Sequence, residues 1–136
     1  MPLTDKQTRE RVRDLNDAFR KTFDPSLGRM MLTAGVNDLP SDVRALAMRK
    51  VATFDAFSSD NDPHGEHDFG SFELAGCRFF FKVDYYDPRL EYGSDDPADP
   101  AKTTRVLTLM LANRVFLSSG NAVLAWDKND SVAAFN

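Results

Sequence analysis

One cysteine, Cys77, stands in a chain of 136 residues, so no internal disulfide can form and a disulfide-stapled scaffold is excluded. Long apolar runs are also missing. Nothing approaches the about 20 consecutive apolar residues that cross a bilayer, and the opening MPLTDKQTRERVR lacks the apolar centre of a signal peptide. A soluble, cytoplasmic protein with no membrane association is expected. No Gly-rich phosphate loop, GxSxG elbow, SxxK or HExxH string occurs, which removes the usual support for nucleotide hydrolase, esterase and zincin readings. Internal repeats, low-complexity runs and interdomain linkers are absent too, so residues 1–136 read as a single domain. What is present is ordinary for a globular protein: 42% apolar and 28% charged residues, at a length that buries roughly two-thirds of the extended chain's surface.

Positive charge is scarce in the middle of the chain. Residues 1–50 carry ten Lys/Arg against seven Asp/Glu, residues 51–99 three against twelve, and residues 100–136 four against two. The central band therefore has a net charge of −9 within a chain of −4. Such a band repels phosphate backbones, so no nucleic acid is expected on that face; a protein partner with a basic surface suits it, and so does a solvated acidic loop with no partner.

Thr4 followed by Gln7 matches a capping box, and Val12, Leu15, Phe19 and Phe23 share a helical stripe, which predicts a helix from about Asp5 to about Lys21. Arg29–Thr33, apolar and set between Gly28 and Gly35, reads as a strand. Pro40 suits a first helical turn, and Val43, Leu46, Ala47, Val51 and Phe54 extend a second helix to about Phe54. Ser58–Gly65 is a loop. His67–Leu74 and Cys77–Asp87 then form a hairpin about Ala75-Gly76, with Phe69 opposite Lys82 and His67 opposite Asp84. Alternation puts Phe72, Leu74, Cys77, Phe79, Phe81, Val83 and Tyr85 on the core face. The other face takes His67, Phe69, Glu73, Arg78, Phe80, Lys82, Asp84 and Tyr86. Asp99 as N-cap and Pro100 as first residue predict a third helix carrying Thr103, Val106, Leu107, Met110 and Leu111 inward. Val115–Leu117 and Ala122–Trp126 read as a late strand and an appended segment. The sum is an α+β domain: helix, strand, helix, β-hairpin, helix, with a small, mainly antiparallel sheet packed on helices.

His67 opposite Asp84, with Lys82 diagonal to both, is the candidate catalytic cluster, since a carboxylate beside an imidazole fixes its tautomer as a general base requires. The same residues also make an ordinary cross-strand ion pair. Asp60, Asp62, His64, Glu66, His67 and Asp68 crowd nine positions as a candidate metal site, and Asp60-x-Asp62-x-His64-Gly65 resembles the start of a calcium loop, but position twelve is Ser71 rather than a bidentate glutamate and Pro63 stiffens the middle. No Cys is near enough in sequence to complete a zinc set. Neither a metal nor another cofactor is expected. Cys77 reads as a small packed hydrophobe, and Arg105 as a bridge to Asp96 or Asp99.

The strings Asp60–Gly70 (DNDPHGEHDFG), Lys82–Asp87 (KVDYYD), Gly93–Pro100 (GSDDPADP) and Thr104–Ala112 (TRVLTLMLA), with Leu32–Val36 and Leu39–Arg44, resemble an uncharacterised domain family of small proteins. That family is common in alphaproteobacteria and is often carried on plasmids or other mobile elements. The resemblance covers about residues 9–112 and departs after Ala112, where Asn113-Arg114 replaces an acidic-aromatic ending, leaving 113–136 as a divergent extension. It brings no activity, cofactor or catalytic residue. Small size, the acidic band and mobile-element carriage together imply a non-enzymatic interaction or inhibitor protein, one that counteracts a host defence complex such as a restriction or CRISPR system. The expected partner-binding residues are Asp60, Asp62, Glu66, His67, Asp68, Lys82, Asp84, Tyr86, Asp87, Asp95 and Asp96. The alternative is a small enzyme using His67, Lys82 and Asp84.

Overall fold

The computed structural model describes residues 2–118, 121–126 and 132–135, with side chains described through Ala112. Helix α1 spans Asp5–Thr22 and opens with the expected reciprocal cap: Thr4 Oγ1 accepts from Gln7 N–H at 3.1 Å, and Thr4 N–H donates to Gln7 Oε1 at 3.0 Å. It stops at Phe23, whose left-handed backbone (φ 53°) lets its N–H return to the Phe19 carbonyl. Strand β1 (Arg29–Thr33) follows, then a single turn α2 (Ala34–Asn37) and helix α3 (Ser41–Thr53), entered through Pro40. The hairpin is β2 (Phe69–Leu74) and β3 (Cys77–Tyr86). Ala75 and Gly76 both have positive φ, 53° and 77°, as a two-residue turn matched to strand twist requires.

The third helix does not form. Asp99 caps as expected, its Oδ1 accepting from Ala101 N–H at 2.9 Å, but only the 3-10 turn Pro100–Lys102 results, and Thr104–Ser118 is strand β4. Val106 to Met110 are all buried, which tells the reason: an apolar run buried on both faces of a central strand has no period of its own, and pairing on both sides decides its conformation. Strand β4 pairs antiparallel with β3 and parallel with β1, while its far end pairs with β5 (Asn121–Trp126). β6 (Val132–Phe135) runs antiparallel to β1. The sheet order is β2-β3-β4-β1-β6. The α+β class holds and the sheet is mixed, since β1 and β4 are joined by a long crossover instead of a hairpin.

Residues of one sheet face meet the helices in a single core: Phe72, Phe79, Phe81, Val83, Leu107, Leu109, Met30 and Leu32 against Phe19, Val36, Ala47 and Val51. The hairpin register is the expected one, from Leu74 opposite Cys77 to Phe69 opposite Lys82. Gly70 is required by close approach: a Cβ there would lie 2.3 Å from the Phe81 ring and 2.8 Å from that of Phe54. At the β3–β4 end of this face Tyr85 and Arg105 replace the apolar pairs, and there the core turns polar.

Candidate functional site

The loop from Phe54 to Asp68 and the loop from Asp87 to Asp99 both close against α1, and the side chains that fasten them form two linked clusters. The first begins with Arg20, only 2% exposed. Its Nη1 donates to the carbonyls of Val51 and Phe54, both at 2.8 Å, satisfying the end of α3, and its Nη2 pairs with Asp17 at 2.8 Å. The Asp17 carboxylate also faces Nδ1 of His67, each oxygen at 3.0 Å. A carboxylate only accepts, so this contact puts a proton on Nδ1. Nε2 of His67 lies 3.9 Å from Asp62 Oδ2. The imidazole stacks on Phe57 at 3.9 Å with 3° between the planes, and Arg20 covers the Phe57 ring at 5.2 Å. His67 is held at φ 56°, uncommon for a residue with a Cβ, because Asp62 accepts from its N–H at 3.2 Å and from Glu66 N–H at 3.0 Å. Beside this cluster lies a cleft of about 350 Å³.

The second cluster centres on Asn16, 1% exposed. Its amide donates to Tyr85 Oη at 2.8 Å and to the Glu66 carbonyl at 3.0 Å, and its Oδ1 accepts from Arg105 Nε at 2.9 Å. Tyr85 donates to Glu66 Oε1 at 2.8 Å. Burial pushes the Tyr85 phenol far above its ordinary range, with the Glu66 carboxylate adding to the effect, so the hydroxyl is a neutral donor at physiological pH. Arg105 is 2% exposed, and burial lowers its pKa, although a guanidinium stays charged in a protein. Its partners are neutral: Asn16, the Pro97 carbonyl and, at 5.5 Å, the Tyr85 ring. The expected bridge from Arg105 to Asp96 or Asp99 is therefore replaced by bonds to α1 and to the Pro97 backbone. Arg11 adds a further tie, its Nε donating to the Ala98 carbonyl at 2.9 Å.

The pairing of His67 with Asp84 is not made. The hairpin ladder ends with Val83 N–H donating to the Asp68 carbonyl at 2.8 Å, and at His67 the chain leaves the sheet for α1. Asp84 pairs instead with Lys82, at 3.1 Å on the outer face. Several acidic residues expected to face a partner serve the loops: Asp62 is buried under its two backbone donors, Asp87 accepts from Glu91 N–H at 3.0 Å, and Asp96 accepts from Ala98 N–H at 3.3 Å. Asp68 is half-buried, and desolvation, reinforced by Glu66 and Asp62, raises its carboxyl above the ordinary range. Asp60 and Asp95 are exposed, Tyr86 is exposed beside the Lys82–Asp84 pair, and Cys77 is a half-buried free thiol on the core side. Among the described residues no group of three or more His, Cys, Asp or Glu side chains is placed to hold a metal ion. No helix among them is long and apolar enough to cross a membrane.

Asn16, Asp17 and Arg20 were not singled out by the sequence reading. A signal did exist: Asn16 and Arg20 follow Val12 at intervals of four, placing two polar residues on the buried stripe of α1. Tyr92, in the second loop and the most exposed aromatic among the described residues, was missed as well.

These features define an α+β protein in which buried polar side chains of one helix clamp two acidic loops to the end of a mixed sheet. The chain belongs to a family described as protein of unknown function, DUF3768, whose model matches residues 32–114. The match takes in the last two residues of β1, α2 and α3, both acidic loops, the hairpin and β4 as far as Arg114, and leaves α1 outside. Comparison with curated proteins and with solved structures returned no match.

Proposed function

We propose that this protein acts by binding another protein, presenting its acidic loops and outer hairpin face to a positively charged surface, and that it performs no chemistry of its own. One observation carries this reading: the side chains that would form a proton-transfer cluster are divided into two pairs, His67 with Asp17 and Lys82 with Asp84. With both ring nitrogens directed at carboxylates and one face against Phe57, His67 is suited to holding a loop, since a general base needs one nitrogen open to a reacting group. Asp60, Glu91 and Asp95 stay exposed and form no ion pair among the described residues, so their charge is available to a partner. The proposed target is a host defence complex of the restriction or CRISPR type, whose nucleic-acid-binding surfaces are basic. A net charge of −4 is modest for mimicry of a whole duplex and favours occlusion of one basic patch.

The test is to express the protein in cells carrying such a system and to measure transformation by a targeted plasmid, alongside co-purification of the complex at physiological salt. Protection together with a stoichiometric complex supports the proposal. Unchanged transformation with no retained complex rejects it.

A further inference from the structure

In the loop that returns from β3 the backbone brings a tyrosine and an aspartate across from each other. Tyr86 bridges antiparallel to Gly93, and Asp87 N–H donates to the Tyr92 carbonyl at 2.7 Å, so Asp87 and Tyr92 stand opposite each other at the end of the ribbon. Directly opposed residues share a face with Cβ atoms about 4.5–5.5 Å apart, whereas Tyr86 points to the other face. The tip is held by its own backbone: Leu90 N–H donates to the Asp87 carbonyl and Glu91 N–H to Asp87 Oδ1, each at 3.0 Å. That leaves Asp87 Oδ2 with no hydrogen bond among the described residues, next to a tyrosine that is 73% exposed. Among the described residues Arg89, in the same loop, forms neither an ion pair nor a ring contact, and no described Lys or Arg pairs with Asp87. Residues 84–99 carry six Asp/Glu against this one Lys/Arg.

We infer that Tyr92 and Asp87, with Glu91 beside them, form a receptor for an arginine side chain on a basic segment of a partner protein. This rests on the binding-protein reading above and names the atoms that would make it selective. A guanidinium is planar, stacks on an aromatic face and pairs with carboxylates through a fork of N–H donors, while an ammonium does only the last, as a point charge. A tyrosine, with only two side-chain torsions to fix, offers that face at a low cost in conformational freedom.

Two short synthetic peptides, one alternating arginine with glycine and one alternating lysine with glycine, are titrated calorimetrically into the full-length protein at low and at physiological ionic strength. The arginine peptide should bind about threefold to tenfold more tightly than the lysine peptide. Tyr92→Ala should abolish that preference while leaving the salt-dependent binding of both. Asp87→Asn, which keeps the loop's acceptor oxygen, should weaken both peptides. Leu46→Ala, on the exposed side of α3, should change neither, and each variant's melting temperature reports whether it is folded. Equal binding of the two peptides, or a preference that survives Tyr92→Ala, overturns the arginine receptor and leaves the acidic-surface reading standing. If neither peptide binds at low ionic strength, both readings are overturned.

Discussion

Replacing Asn16 by alanine tests the claim that a buried amide, and not apolar packing alone, fixes the loops to the sheet. The side chain makes three hydrogen bonds, to Arg105 Nε, Tyr85 Oη and the Glu66 carbonyl. The bond from a charged guanidinium is worth about 1.5–3 kcal/mol and each neutral bond about 1 kcal/mol, and the strongest of them is left at Arg105, which is buried, while Tyr85 and Glu66 are half-buried, so water replaces the loss only in part. The expected destabilisation is about 3–5 kcal/mol, a large part of the roughly 5–15 kcal/mol that holds a domain of this size together. Urea unfolding followed by circular dichroism should show a lower midpoint at unchanged slope. Tyr85→Phe removes a different member of the network, and the double variant should cost less than the two single variants added, by about 0.5 kcal/mol or more, because they share a bond. A loss below about 1 kcal/mol for Asn16→Ala, or strict additivity with Tyr85→Phe, would refute the network as a clamp.

Other consequences are simpler. Phe81→Ala opens a hole beneath Gly70 and Phe54 and should cost about 3–5 kcal/mol, with loss of near-UV circular dichroism on mild heating, whereas Lys82→Ala on the exposed outer face should cost about 1 kcal/mol or less; equal losses would put the hairpin faces the wrong way round. Because burial raises the Asp68 carboxyl, the folded chain holds that proton more tightly than the unfolded chain, so stability falls as pH rises from the ordinary carboxylate pKa through the raised one and is flat beyond it. Asp68→Asn should remove that slope and melt higher at neutral pH; a lower melting temperature there contradicts the assignment. Ala75 sits at φ 53° in the hairpin turn, so Ala75→Asn, which tolerates that conformation and forms the preferred Asn-Gly pair, should stabilise by about 1 kcal/mol, and a loss in thermal melts would count against the turn geometry.

Local chemistry along the chain determined a good deal by itself. The capping box of α1, the bounds of β1, the entry to α3 through Pro40 and the hairpin register about Ala75-Gly76 all depend on residues close in sequence, and each was legible there. So was the core face with Phe72, Phe79, Phe81 and Val83, since a strand with one buried face alternates visibly. Tertiary structure decided the rest wherever the forces came from residues distant in sequence. Thr104–Ala112 became a strand instead of a helix because it lies between β1 and β3 and is covered on both faces, which erases the periodicity that separates the two conformations. His67 took Asp17 rather than Asp84 as its partner because Asp62 and α1 draw the chain out of the ladder one residue before the pairing would have formed. The acidic band itself was plain in the sequence. Which of its carboxylates are consumed in closing loops, and which remain beside an exposed tyrosine, is fixed only when the two loops meet α1, because a carboxylate's availability depends on the backbone N–H groups that the folded chain brings to it.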